Sequence, residues 1–325
     1  MNTTIFFSKL FLDACRDTYK VYNYFGLRKN NNFFVFIKIF MIKFFYAFGK
    51  LRNLIKPNFD IVDKNKKNSK SLIFNEEINL INQVKQLDYY GYSNTHFLKD
   101  EVVNDILKES LKFDNFDVKK LKTDLDKKDL AIYENESLDV YIKRLNSLGI
   151  SRLTKTINLN NNNLTLNRII FSDEIINIAK SYLNTNKISI NATFFISNSI
   201  ETTEKEKYKN AQYFHWDNDF TKFFKLYIYL NDVDLDNGPH IFVPGTHKSK
   251  KKENRLCRLF SDENINQNYK ETKTFLGKRG TFFFVDSYGI HKGLAPKKNY
   301  RLMLNIHFGR GKILYSSNDR FIKFN

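Results

Sequence analysis

His215, Trp216 and Asp217 form an H-x-D triplet, and His291 and Arg301 follow far downstream, ten residues apart. Two imidazoles and a carboxylate are the donor set of mononuclear non-haem Fe(II) sites, which keep open coordination positions on one face of the metal. A guanidinium is the side chain best shaped to grip a carboxylate in a two-pronged fork. Together these residues could hold a ferrous ion and anchor a dicarboxylate beside it. The pattern points to an enzyme rather than a scaffold.

Spacing supports the grouping. In an extended segment residues i and i+2 share a face, so His215 and Asp217 can bind one metal. Alone, an H-x-D in a chain with six histidines says little. His291, however, follows the strand-like run Thr281 to Asp286 and precedes the turn Lys292-Gly293-Leu294-Ala295-Pro296, which places it at a strand end. Arg301 opens the last apolar strand. A buried arginine is costly unless paired, and no carboxylate is adjacent to it in sequence. A bound dicarboxylate would satisfy it; the alternative is a surface position among Lys297, Lys298 and Tyr300.

The elements that must position these residues change character midway along the chain. Helical periodicity runs over Glu76 to Gln86, Asp100 to Phe113 and Ser137 to Ser147, and again up to Leu183 behind a cap at Ser172 or Asp173. From Lys187 the period becomes strand-like: Ile188 to Ser197, Phe223 to Leu230, Ile241 to Val243, Thr281 to Val285 and Arg301 to Phe308 are rich in β-branched and aromatic residues. Turn residues separate them. Short strands at this density after a helical half predict an α+β chain, its strands closed into a jelly-roll barrel buttressed by helices. The expected division is a basic, mostly helical N-terminal extension and linker over 1–72 and a barrel domain over 73–325.

The 325 residues carry a net charge of +18, with 32 Phe, 18 Tyr and one Trp. Residues 1–70 hold fourteen Lys or Arg against four Asp, so +10 of that charge sits in this stretch. Runs of Asn, together with over-used Lys, Ile and Phe, match an AT-rich coding sequence, and no RNA-binding signature or Gly-rich phosphate loop accompanies the charge. Nucleic acid is therefore not the expected partner. Phe33 to Phe48 is apolar except for Lys38 and Lys43, and falls short of the roughly 20 residues that span a bilayer. Packing on the body of the enzyme is the favoured reading; peripheral membrane contact through residues 33–52 is the other. Cys15 and Cys257 are too few and too far apart for a disulfide framework. No secretory signal is convincing, so a reduced, cytoplasmic setting is expected.

His215-Trp216-Asp217, the run Lys225 to Val233, Asn237-Gly238-Pro239-His240, Val243-Pro244-Gly245-Thr246-His247, His291 and Arg301 together resemble the phytanoyl-CoA dioxygenase family. The similarity covers roughly Glu76 to Phe308. It implies a double-stranded β-helix of the cupin-like kind and the cofactors Fe(II), 2-oxoglutarate and O2. By position it implies that His215, Asp217 and His291 bind iron and that Arg301 holds the far carboxylate of 2-oxoglutarate. Tyr227 would line the co-substrate pocket, and Lys225, on the same face, is a further candidate. Two departures stand out: Gly293, where relatives often place a serine that helps the arginine, and the bulky Trp216 inside the triplet. Halogenating members replace the carboxylate ligand with a small residue, so Asp217 points to hydroxylation of a C–H bond in a small-molecule or lipid-like substrate, with succinate and CO2 released. The rival reading is a catalytically silent barrel that binds a carbohydrate or lipid surface.

The other histidines take structural expectations. His240 and His247 are read as serving their turns, His307 as a satisfied core residue, and His96 as standing alone. The charged stretch Lys248 to Arg258 is read as a solvated loop.

Overall fold

The computed structural model describes residues 50–63, 73–112, 125, 127–160, 165–217, 219, 222–251, 259–311 and 320–324. The apolar stretch 33–48, Cys15, Cys257 and residues 252–258 of the charged loop lie outside the described residues.

Twelve strands fall into two antiparallel sheets among the described residues. The larger has the order β1 (His96–Phe97), β9 (Thr281–Val285), β5 (Phe223–Tyr229), β11 (Tyr300–Arg310), β3 (Lys187–Asn198) and β12 (Arg320–Lys323), with β2 (Arg152–Ile157) also paired to β3. The smaller runs β7 (Leu259–Phe260), β4 (Phe214–His215), β10 (His291–Gly293), β6 (His240–Phe242) and β8 (Lys273–Phe275). From β3 to β6 successive strands alternate between the sheets, and from β8 to β11 the chain again crosses from one to the other. This interleaving is the winding of a double-stranded β-helix, as expected.

Alternation along the larger sheet gives it two faces. Phe224, Leu226 and Ile228 of β5, Leu302, Leu304, Ile306 and Phe308 of β11, and Ile188, Ile190, Ala192, Phe194 and Ile196 of β3 join the helices in one buried cluster. Each such side chain contributes about 1.5–3 kcal/mol by leaving water. The helical layer supplies Val84 and Leu87 from α3 (Leu80–Tyr90), Val102, Val103 and Ile106 from α4 (Asp100–Lys112), and Ile175, Ile178, Ala179 and Leu183 from α8 (Asp173–Leu183). Among the described residues, further short helices precede β4: α1 (Lys50–Leu54), α2 (Asp60–Asp63), α5 (Lys127–Leu130), α6 (Leu138–Ser147), α7 (Thr165–Ile170) and α9 (Glu204–Lys209). The last, α10 (Asp262–Asn268), lies between β7 and β8. The other face of the larger sheet looks at the smaller sheet and carries the polar residues discussed below.

Caps explain where helices begin and end. Ser172 accepts from the Ile175 amide and starts α8, and Asn184 ends it with a left-handed φ of 47°. The helix expected over Glu76 to Gln86 runs instead from Leu80 to Tyr90. Asn79 caps the Asn82 amide, and Gly91, at φ 88°, stops the last turn. Within the expected extension and linker over 1–72, residues 60–63 are helical and Val62 is 1% exposed; residues 64–72 lie outside the described residues. Strand β2 was not anticipated, because its apolar positions Leu153 and Ile157 are separated by Thr and Lys. Among the described residues no helix is long and apolar enough to cross a membrane.

Candidate metal centre and co-substrate pocket

His215 ends β4 and pairs in register with His291, the first residue of β10. Asp217, two residues past His215, returns towards the same point, and its amide donates to the Ser287 carbonyl at 2.9 Å. One ligand atom from each of His215, Asp217 and His291 lies within 4.8 Å of the others. His215 Nε2 is 3.7 Å from Asp217 Oδ1, and His291 Nε2 is 3.6 Å from Asp217 Oδ2. Each imidazole turns its Nδ1 away, to the Tyr213 carbonyl at 2.9 Å and the Gly289 carbonyl at 2.9 Å respectively. A donating Nδ1–H fixes the tautomer and makes Nε2 the nitrogen that could bind a metal, the usual outer-partner arrangement at metal-binding histidines.

The turn before His291 is tightly built. A Cβ at Gly289 would run into the Phe242 ring, so this position needs glycine. Burial, followed by the neighbouring His215 imidazole, pushes His291 down to about 3, so it is neutral at ordinary pH. Burial alone would raise the Asp217 carboxyl; the Lys225 ammonium, then His291 and His215, outweigh it and hold the carboxyl well below its usual range. Lys225 Nζ donates to Asp217 Oδ2 at 2.6 Å and lies 3.8 Å from Asp219 Oδ2. Lys225 therefore engages the candidate metal ligand itself. Tyr227 sits on the same inward face of β5, 5% exposed.

Arg301 is buried at 4% exposure, on the inward face of β11. Its Nη2 donates to Ser197 Oγ at 3.4 Å, while Nε and Nη1 are sealed from solvent with no hydrogen-bond partner. The surface alternative for this residue is thus excluded. A Cβ on Gly293 would lie 3.2 Å from Arg301 Nη2, so the glycine gives the guanidinium its room. The hydroxyl missing at Gly293 is supplied from the next strand by Ser197. Trp216 packs into an apolar cluster with Phe214, Val243 and Tyr288, its ring 5.4 Å from that of Tyr288. This is why its bulk is tolerated.

His240 corrects the sequence reading. It opens β6 rather than belonging to the preceding turn, and the strand lies one residue earlier than expected. Its ring stands 4.8 Å from Tyr227 and 5.4 Å from His291. Burial, then His291 and Arg301, hold its pKa well below the usual value, and Nε2 has no partner. A neutral imidazole thus lies beside the candidate triplet and feels the charge of Arg301. His307 is buried but not satisfied: it shares the inward face with Arg301, and its Nε2 is unpartnered, as is Oδ1 of Asn305. The alternation Arg301, Met303, Asn305, His307 was the available signal. His247 serves structure as expected, with Nε2 2.9 Å from the Asp88 carbonyl. His96 pairs with Glu76 at 2.8 Å, so it does not stand alone.

The donor set fits a divalent metal with nitrogen and oxygen ligands, and the unpaired Arg301 fork fits a carboxylate placed further into the cavity. Comparison with protein-family models matches residues 117–297 to phytanoyl-CoA dioxygenase. Comparison with curated proteins gives no match. Among solved structures, the chain is similar to the non-haem α-ketoglutarate-dependent epimerase SnoN from nogalamycin biosynthesis. That match has 15% identity over 70% of this chain and 80% of that one, with a TM-score of 0.45. It is also similar to the α-ketoglutarate-dependent carbocyclase SnoK from the same biosynthesis, with 11% identity, 78% and 100% coverage and a TM-score of 0.46. A third is HygX from Streptomyces hygroscopicus with nickel and 2-oxoglutarate bound, with 11% identity, 70% and 85% coverage and a TM-score of 0.44.

Proposed function

Because the chain belongs to the phytanoyl-CoA dioxygenase family, whose members depend on Fe(II), 2-oxoglutarate and O2, we propose that it hydroxylates a C–H bond of a small-molecule substrate. In this reading His215, Asp217 and His291 hold the iron, and Arg301 holds the far carboxylate of 2-oxoglutarate. The observation that carries it is the convergence of two Nε2 atoms and a carboxylate on one point, each imidazole fixed from behind through Nδ1. Bound Fe(II) and 2-oxoglutarate supply oxidative chemistry in which one oxygen atom of O2 enters the substrate and the other enters succinate, with CO2 released.

The chain's own groups bind, orient and exclude water. Tyr213 and Gly289 carbonyls set the two imidazole planes. Lys225 steadies Asp217 and neutralises its charge. In this reading Tyr227, Tyr229, Phe195, Phe283 and Met303, members of one buried cluster, line the lane that the co-substrate takes, and the low local dielectric strengthens the Arg301–carboxylate attraction. The neutral His240 offers that lane a hydrogen-bonding nitrogen without adding charge.

The test is metal binding and turnover together. His215→Ala and Asp217→Ala should each lower Fe(II) affinity by more than the ~10–100-fold that loss of an outer partner costs, and each should stop succinate release. Wild-type metal affinity in both variants would refute the assignment. Metal binding without any consumption of 2-oxoglutarate would favour a silent binding barrel.

A further inference from the structure

Arg152 opens β2, on the far side of β3 from β11. Its Cα partner on β3 is Ser197, and Ser197 is in turn the Cα partner of Arg301. Arg152, Ser197 and Arg301 therefore form one row across three strands, with the side chains on the inward face. The Arg152 guanidinium lies 4.4 Å from the Phe195 ring, which belongs to the same apolar wall as Tyr227 and Met303. Its Nη1 donates to the Asn210 carbonyl, and the next residue, Ala211, accepts from the Gly293 amide at 3.2 Å. Gly293 is the residue against Arg301 Nη2. Two independent paths, the strand row and the Asn210–Ala211 bridge, tie Arg152 and Arg301 to the same corner of the inward face.

Nothing among the described residues neutralises that corner. Neither guanidinium has an ion-pair partner there, and Nε of both is sealed from solvent without a hydrogen bond. Burial, then the charge of Arg301, draws Arg152 down to about 10, which still leaves it charged at neutral pH. Two guanidiniums on one inward-facing row, without an ion-pair partner among the described residues, are costly unless an anion arrives.

We propose that Arg152 is a second binding residue for the far carboxylate of the 2-oxo acid, sharing it with Arg301. This rests on the functional reading above. The two forks approach the carboxylate from adjacent strands, and the Ser197 hydroxyl lies between them. The pair makes the site selective for a dicarboxylate over a 2-oxo acid that lacks the far acid group.

The experiment is calorimetric titration of the full chain, loaded with Ni(II), against 2-oxoglutarate and against 2-oxovalerate, which has the same chain length without the far carboxylate. Arg152→Gln should weaken 2-oxoglutarate binding about ten-fold, about 1.4 kcal/mol, and leave 2-oxovalerate unchanged. Arg152→Lys, which keeps the charge and loses the fork, should restore part of the preference. A merely structural role would weaken both acids alike, and that outcome, or unchanged 2-oxoglutarate binding in Arg152→Gln, overturns the proposal alone. Wild-type protein that binds neither acid overturns the functional reading, and this proposal with it.

Discussion

Arg52 and Asp286, 234 residues apart in the chain, form a buried ion pair. Asp286 stands at the end of β9, on the turn that leads to His291. Its Oδ1 accepts from the Tyr288 amide at 3.1 Å, and Oδ2 accepts from Arg52 and from the Tyr182 hydroxyl. The guanidinium also lies 4.7 Å from the Tyr288 ring. A residue that precedes the family-matched region thus braces the turn carrying a candidate metal ligand.

Removing one partner of a buried pair leaves a charge without compensation, which typically costs about 3–5 kcal/mol. Arg52→Ala should therefore lower the denaturant midpoint markedly. In the Arg52→Ala/Asp286→Asn double variant the losses should be less than additive, because the stranded carboxylate is gone. Additive losses in the unfolding curves would show that the pair does not act as a unit.

Lys222, 4% exposed, donates to the Ile55 carbonyl at 2.7 Å and lies 4.1 Å from the Tyr182 ring. Burial, then the Arg52 charge, pulls its ammonium down to about 7. The unfolded chain keeps this proton up to roughly pH 10.4, whereas the folded chain releases it above about 7. Between those values the unfolded state binds more protons, so this group makes stability rise with pH across the window, by on the order of a few kcal/mol. Lys222→Met should remove that slope. A stability difference between the two proteins that stays constant from about pH 7 to 10 would contradict the shift.

Lys225 engages Asp217, and a bound cation would take over much of that neutralisation. Lys225→Met should cost the apoprotein on the order of 3 kcal/mol and the Ni(II)-loaded protein distinctly less. Thermal melts of both proteins with and without the metal give the comparison. Equal losses in the two states would mean that Lys225 and the metal do not share the carboxylate.

Much of the site was legible because its signals are local. The i, i+2 spacing of His215 and Asp217 needs only an extended backbone, and His291 and Arg301 announce themselves as polar residues bordering apolar strands. The alternation in β3 and β11 likewise marks a two-faced sheet. His240 was misplaced because a one-residue error in the start of β6 moves a residue out of the sheet and into a turn. Arg152 was missed because β2, with Thr and Lys between its apolar positions, lacks the unbroken β-branched run that marks the other strands.

The amino-acid order alone thus indicated a helical half followed by short strands, the donor types and the shared face of His215 and Asp217, since these follow from backbone period and local polarity; the winding was implied by the family resemblance. Only the tertiary structure decided which distant residues meet. Strand register sets the Arg152–Ser197–Arg301 row, and helix-to-sheet packing sets the Arg52–Asp286 pair. Neither leaves a trace in the neighbouring residues, because the energy of each contact resides in a partner far away in the chain, 234 positions for Arg52 and Asp286.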